Sequence, residues 1–499
     1  PGFFMTMLLL IAGTNLAASA NNLMWIYFVW NASGLCIFTL FYISGKKKLF
    51  DNAVRALAIS LMGGAVLIFG IIFIYKGSST LSVVELANNQ LHKYVPFALG
   101  LVLVCIAAFT RMAQFPFANW LTNLENAPLP LSAILHGYMP VSSGVYLIMR
   151  TVPALGNTMA GRLISVAGGF TFLISSIIAL TKYKGRSILT YSTISNMGLC
   201  VWCLGTGSRT ALGITVLLAV FHVFFQTIMH CCIDIIEKKV GSSSLGAIKG
   251  LEGRLPITSL IMLGTLLCML LPSSSIIASN WIAAEITESV FLSPIFVAPG
   301  ILFTFVLWAR ITAALLRSPL HIGEKEKLPI PVIVSVFTAF GLFILTNICF
   351  APIYDNFAEL QFNLYNPADK MAITAGFTGI HIFGDSNFVI GKFSWIPMYL
   401  IVFAVLLLVS YLLYKLSGRK NKGTYKEMYM CGEDYVNEGG ENHENVEGQR
   451  KNSKMQGHDK NTGAGDTYTL YGVIEPVKLQ TLANYVAAAV IFLIIGTSI

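Results

Sequence analysis

His222, Gln226 and His230 stand at i, i+4 and i+8, and Asp234 follows four residues later. On a helix this spacing puts all four side chains on one face. An imidazole titrates near neutral pH and can pass a proton between its nitrogens, so the stripe suits either a water-lined proton route or an interhelical hydrogen-bond seam. His136, beside Gly137 and Pro140, is a second group of the same chemistry. Arg111, in CIAAFTRMAQFPFANWL, is a cation inside an apolar stretch. Such a group costs roughly 2.5–3.5 kcal/mol at the bilayer centre, and membrane proteins keep one only where it is solvated, paired or used. Pro116 interrupts the backbone ladder of the same stretch, and irregular backbone at membrane depth is tolerated only inside protein or beside water. Glu285 and Glu288 follow a second interruption, and Arg310 lies in the next apolar stretch. Asn31 is polar but cannot titrate, while Ser192, Thr193, Ser195 and Asn196 can line a hydrated wire or knit helices together.

The elements that position these groups are membrane spans. Of 499 residues 55% are hydrophobic and 11% charged, where a soluble domain carries about a quarter charged residues. Windows long enough to cross about 30 Å of hydrocarbon lie near 3–20, 22–44, 55–75, 95–120, 130–152, 161–182, 187–206, 209–237, 256–290, 292–317, 329–351, 394–417 and 480–499. With Lys46, Lys47 and Lys48 in the cytoplasm, the alternating loops place about 18 Lys and Arg inside against about 7 outside, as the positive-inside rule requires. The net charge of +9 is therefore a topology signal and gives no reason to expect nucleic acid. The nine cysteines are scattered; Cys200 and Cys203 form a lone CxxC inside an apolar helix, which suits neither a metal site nor a disulfide. No phosphate-cradling glycine pattern is present, so we expect no cofactor in this chain.

Five windows from 3 to 152 start inside, and five from 161 to 317 start outside. The fourth of each set is interrupted, at Gln114-Phe115-Pro116 and at Pro272-Ser273-Ser274-Ser275, and each interruption precedes an Asn-Trp pair, Asn119-Trp120 and Asn280-Trp281. The expected fold is an all-α polytopic membrane protein of two inverted five-helix repeats with discontinuous helices, plus C-terminal spans. The expected divisions are 1–152 and 153–320 for the repeats, 321–417 for two further spans with an outside loop, 418–480 for a polar cytoplasmic linker, and 481–499 for a last span. The linker is rich in Gly, Asn, Glu and Lys, and its His443 and His458 read as solvated side chains.

AQFPFANWLTNLENAPLPLSAILHGYMPVSSGVYLIMR (Ala113–Arg150) resembles the signature of the antiporter-like membrane subunits shared by respiratory complex I, Mrp cation/proton antiporters and energy-converting hydrogenases. LTYSTISNMGL (Leu189–Leu199), FHVFFQTIMH (Phe221–His230) and WNASGLC (Trp30–Cys36) are similar to three further blocks of that family. The resemblance spans about residues 5 to 320 and implies the inverted-repeat fold. It also implies further spans before Pro1. Ser279-Asn280-Trp281 and Met430-Cys431-Gly432-Glu433 resemble the hydrogenase and formate hydrogenlyase branch. That branch implies other membrane-arm subunits and a hydrophilic redox arm as partners, with iron–sulfur clusters and a nickel–iron site on those partner chains.

The departures from the family bear on mechanism. Its proton path uses a Glu where this chain has Asn31, a Lys where it has Arg111, a central Lys where it has Gln226, and a Lys or Glu where it has Asn280. His136 and His222 match. An amide cannot accept a proton near neutral pH, and arginine stays protonated, so the usual Glu–Lys relay cannot run here. The candidate path residues are Asn31, Arg111, His136, His222, Gln226, His230, Asn280 and Glu285. The expected function is that of a membrane-arm component of a proton-pumping energy-converting hydrogenase or related complex I-like assembly, with a degenerate or rerouted path through His136, His222 and His230. Two alternatives stand beside it: membership of an Mrp-type cation/proton antiporter, and membership of a complex I-type quinone oxidoreductase. The location implied is a prokaryotic cytoplasmic membrane.

Overall fold

The structure is a computed structural model, and it describes residues 2–44, 47–88, 94–125, 127–151, 158–206, 209–251, 254–270, 293–316, 326, 328–348 and 476–496. Asn280, Glu285, Glu288, the second interruption at 272–275, the outside loop 352–393, the window 394–417 and both linker histidines lie outside the described residues.

The described chain is helical: α1 Gly2–Ser19, α2 Leu23–Ile43, α3 Lys47–Ser78, α4 Val83–Asn88, α5 Val95–Arg111 and α6 Asn119–Asn123. There follow α7 Leu129–Thr151, then α8 Met159–Thr181, α9 Gly185–Gly205, α10 Arg209–Val240, α11 Leu245–Ile248, α12 Pro256–Leu270, α13 Ser293–Leu315, α14 Ile330–Ile348 and α15 Pro476–Gly496. Among the described residues nine helices are long and apolar enough to cross a membrane. The protein is an all-α, multi-pass integral membrane protein.

The repeat is written in the backbone. Two isolated antiparallel bridges join Asn22 to Ser82 and Lys184 to Ser244, each spanning 60 residues. In the first, the Leu23 N–H donates to Leu81 O and the Val83 N–H to Asn21 O; in the second, Gly185 donates to Ser243 O and Leu245 to Tyr183 O. Every partner is offset by 162 residues, as are the starts of α2 and α9 (23, 185), α3 and α10 (47, 209), and α4 and α11 (83, 245). Five crossings separate the two sets, so the second copy is inverted.

Close helix contact within each half uses small residues, as expected where no hydrophobic force drives helices together in lipid. A Cβ on Gly198 of α9 would sit 2.7 Å from the Phe172 amide of α8, and one on Gly70 of α3 would sit 2.9 Å from the Gly100 carbonyl of α5. The buried core runs through both halves, with α9 of the second half and α5 of the first among its most enclosed helices.

Two helices depart from regularity. The window 95–120 resolves into α5, an irregular turn and the short α6, as the sequence predicts. The window 130–152 carries two π-helical segments, Ile134–Tyr138 and Pro140–Val145. Pro140 has no N–H to offer the carbonyl four residues before it, which is that of His136, and the wider π register accommodates the loss.

Candidate functional site

The first interruption is built around Arg111. The α5 helix ends there, Ala113 turns into the left-handed region at φ 51°, and the Gln114 N–H closes back on Phe109 O at 3.1 Å. This is a Schellman-type stop with alanine in the place glycine usually takes. The orphaned Thr110 carbonyl accepts the Trp120 indole N–H at 2.8 Å, so α6 caps α5 across the break. Gln114 Nε2 donates to Met112 O at 3.0 Å and to Ile194 O on α9 at 3.3 Å, tying the break to the second half.

Arg111 is 5% exposed. Its Nη2 donates to Trp30 O at 2.6 Å, and its guanidinium lies 4.7 Å from the Trp30 ring. Gly34 makes room for it: a Cβ there would meet Nη2 at 3.1 Å and Ser60 Oγ at 2.5 Å. No carboxylate pairs with Arg111 among the described residues. Asn31, one residue from the anchoring carbonyl, donates to Tyr27 O and faces Gly64 of α3. Arg111 is thus held by a carbonyl and an aromatic face rather than by its expected opposite number.

The histidines converge in the second half. His222 is engaged at both nitrogens: Nε2 lies 2.9 Å from His136 O, and Nδ1 lies 3.2 Å from Asn196 Nδ2. A carbonyl only accepts and an amide NH2 only donates, so the proton sits on Nε2 and Nδ1 is the acceptor. Thr193 Oγ1 is a second donor to His136 O, at 3.4 Å. The carbonyl freed by Pro140 is therefore what locks His222. His230 donates from Nδ1 to Gln226 O at 2.8 Å, which leaves Nε2 as a lone-pair nitrogen. The His136 and His230 rings stack with centroids 4.8 Å apart and planes 15° apart. Neither nitrogen of His136, nor Nε2 of His230, nor Oε1 of Gln226 has a hydrogen-bond partner among the described residues. Gln226 Nε2 makes two long contacts, to Leu189 O and Ser192 Oγ, each 3.4 Å.

At the C-terminal end of α10 the stripe meets charge. Arg186 Nη2 lies 3.2 Å from Asp234 and 2.6 Å from Glu237, its Nε donates to Glu237 at 2.7 Å, and its Nη1 donates to Ala127 O at 2.9 Å. Lys238 also pairs with Asp234, at 2.6 Å. Ser187 donates to Glu125 at 2.7 Å. Nearby, outside the spans, burial pulls the Lys182 ammonium below its usual range while Glu125 opposes the shift. Asp234 belongs to the stripe as expected. Sequence reasoning missed Arg186 and Glu125 and gave Thr193 no partner, because their roles depend on contacts between elements far apart in sequence. Ser195 and Asn196 prove to be knitting groups: Ser195 bonds Ser176 at 2.9 Å, and Asn196 holds His222. Arg310 donates to Leu180 O at 2.6 Å and lies over the Tyr183 ring.

Chemically, the arrangement offers three kinds of group. His222 is fully engaged and fixes geometry. His136 and His230 carry ring nitrogens without a described partner in a helical interior, and Asp234 with Arg186 forms a charged mouth. A buried imidazole nitrogen without a protein partner is the kind of group that bridging water satisfies.

Residues 20–307, more than half of the chain, match the family described as NADH:quinone oxidoreductase/Mrp antiporter, TM. A relative from Bacillus subtilis (strain 168), named as part of a Na(+)/H(+) antiporter, is 26% identical over 384 residues, covering 70% of this chain and 48% of its own. A relative from Rhizobium meliloti (strain 1021), named as part of a probable K(+)/H(+) antiporter, is 31% identical over 263 residues, covering 52% and 26%. The chain thus spans less than half the length of these curated relatives. Among solved structures, a chain of the membrane-bound sulfane sulfur reductase, an archaeal respiratory membrane complex, aligns with TM-score 0.63 at 18% identity, covering 70% of this chain and 73% of that one. A chain of the Mrp complex from Dietzia sp. DQ12-45-1b aligns with TM-score 0.62 at 22% identity, covering 79% and 43%. Respiratory complex I from Thermus thermophilus gives 0.59 at 16% identity, covering 71% and 79%. These likenesses establish the fold.

Proposed function

The chain belongs to the NADH:quinone oxidoreductase/Mrp antiporter transmembrane family, and from that membership we propose that it is a proton-conducting component of an Mrp-type cation/proton antiporter complex, with a route rebuilt on imidazoles. The observation that carries this reading is the stacked His136–His230 pair, with nitrogens that have no hydrogen-bond partner among the described residues and with His230 one helical turn from Asp234. Proton transfer needs groups that both accept and release near neutral pH, and imidazoles are the side chains built to do so. His222 acts through position, holding the His136 backbone. Gln226 orients water and exchanges no proton. In the first half, Arg111 is a fixed cation beside an amide, so that half repels an incoming cation rather than relaying one.

The narrower hydrogenase assignment suggested by Ser279-Asn280-Trp281 and Met430-Cys431-Gly432-Glu433 rests on residues outside the described ones. The Bacillus and Rhizobium relatives carry antiporter names, which supports placing the antiporter first. A second reading, a membrane-arm component of a redox-driven complex with a hydrophilic arm, is favoured by the alignment to 73% of the chain from the sulfane sulfur reductase complex, against 43% of the Mrp chain.

Everted membrane vesicles containing the full complex separate the two. A pulse of Na+ or K+ that collapses a preformed pH gradient, and fails to do so in His136→Phe, supports the antiporter. Acidification driven only by a reductant, with no response to either cation, overturns it in favour of the redox arm.

A further inference from the structure

Arg111 plays no part in the imidazole route, yet it is a buried charge with a recess beside it. We propose that this recess takes the side chain of an aspartate or glutamate carried at mid-membrane by a transmembrane helix of a neighbouring protein in the complex. The inference rests on the reading above, that the chain works inside a multi-subunit membrane complex.

Three observations carry it. The first is charge. A guanidinium does not readily shed its proton, and among the described residues no carboxylate reaches it to balance its charge in a low-dielectric interior. The second is the set of orphan donors. Arg111 Nε and Trp30 Nε1 are both buried N–H groups without an acceptor among the described residues, and the Trp30 carbonyl already serves Nη2. What the site lacks is an acceptor, and a carboxylate supplies two oxygens together with the missing charge. The third is space. Arg111 lies on the wall of a small, partly open recess of about 20 Å³ bounded by Gly34, Phe38, Leu57, Ser60 and Thr110, between α2, α3 and α5. Ser60 and Thr110 apart, these bounding residues are apolar or glycine.

Depth decides the source of the anion. Arg111 meets α2 at residues 30 and 34 of a helix running from 23 to 43. At 1.5 Å per residue this is roughly 10–20 Å from either end. A lipid phosphate lies near the helix ends, and a soluble anion pays the full cost of leaving water to reach that depth. An acidic side chain borne on a partner's span is delivered there by the span itself. Such residues in membrane helices face protein interiors and pair with one another.

The test uses the intact complex with p-benzoylphenylalanine in place of Phe38, which borders the recess. Photolysis and peptide sequencing should find a crosslink to a partner span with an Asp or Glu near its middle. Neutralising that acid should lower recovery of the assembled complex roughly tenfold or more, since one member of a buried pair is left uncompensated. Adding Arg111→Met to the same variant should restore recovery. Crosslinks confined to lipid, or to this chain's own segment around Glu285, overturn the inference. So does recovery that neither substitution alters. A complex that moves protons in response to cations but gives no such crosslink defeats this inference alone. A chain that purifies with no membrane partner defeats the functional reading with it.

Discussion

Replacing His136 with Phe should separate conduction from folding. The ring of His136 makes no hydrogen bond to a described residue and stacks on His230 with centroids 4.8 Å apart. A phenyl ring keeps the stack and removes the polar ring together with the water that serves it, an exchange that is nearly neutral. The slightly larger ring costs about 1 kcal/mol in packing strain, so the net change in stability should stay within ~1 kcal/mol. Proton movement should fall at least ~10-fold, below what a positioned acid–base group commonly contributes. His222→Phe is the control with the opposite profile. It strips the Asn196 amide of its 3.2 Å acceptor and the His136 carbonyl of its 2.9 Å donor, leaving only the 3.4 Å contact from Thr193. That should destabilise the protein by about 2 kcal/mol. The assay is dye-reported proton uptake into proteoliposomes holding the purified complex, beside thermal half-lives in detergent, since large assemblies unfold irreversibly. Wild-type proton uptake in a well-folded His136→Phe complex would refute the route. Equal destabilisation of the two variants would refute the partner assignment on which it rests.

Three further outcomes follow from the same geometry. Ala113→Val should cost about 2 kcal/mol or more, because a β-branched side chain is forced to φ 51° inside protein; Ala113→Gly should be tolerated, and ranked thermal half-lives check both. Arg186→Gln should destabilise by roughly 1–3 kcal/mol, less than for a fully buried pair because Glu237 is 28% exposed and Lys238 still serves Asp234; Arg186→Lys should recover part of the loss, again read from thermal half-lives. Asn31→Glu combined with Arg111→Lys should raise cation-coupled proton uptake, since it restores two groups that can exchange protons across α2 and α5. Unchanged stoichiometry in that double variant would mean the first half lacks more than these two side chains.

How legible the site was depended on how far apart in sequence its parts lie. The His222–Gln226–His230–Asp234 stripe was readable because its four members share one helix, and a 3.6-residue period is a local property. The break at Arg111–Pro116 was readable for a related reason: a charge and a missing N–H are visible wherever they occur. The π segments of α7 were not anticipated, although their cause, Pro140 four residues after His136, was in plain view. Whether the chain breaks, kinks or widens at a proline depends on what else can serve the freed carbonyl. Here the answer came from His222 and Thr193, 86 and 57 residues away. Likewise Gln480 on α15 bridges the Tyr191 hydroxyl and the Asn119 side chain, a clamp from the last span onto the first break that no local pattern announces.

By itself the sequence determined that the chain is a multi-pass helical membrane protein, where most of its spans lie and which residues can carry charge. Those follow from the transfer energies of single side chains and from periodicity along one helix, neither of which needs a neighbour. Tertiary structure alone decided which histidines keep a nitrogen without a partner among the described residues, which one is spent on holding backbone, and that Arg111 rests against a carbonyl and a ring with a recess beside it. Those are properties of pairs, and in a bilayer a pair is set by how helices from distant parts of the chain pack, where small residues and orphaned polar groups outweigh any local preference.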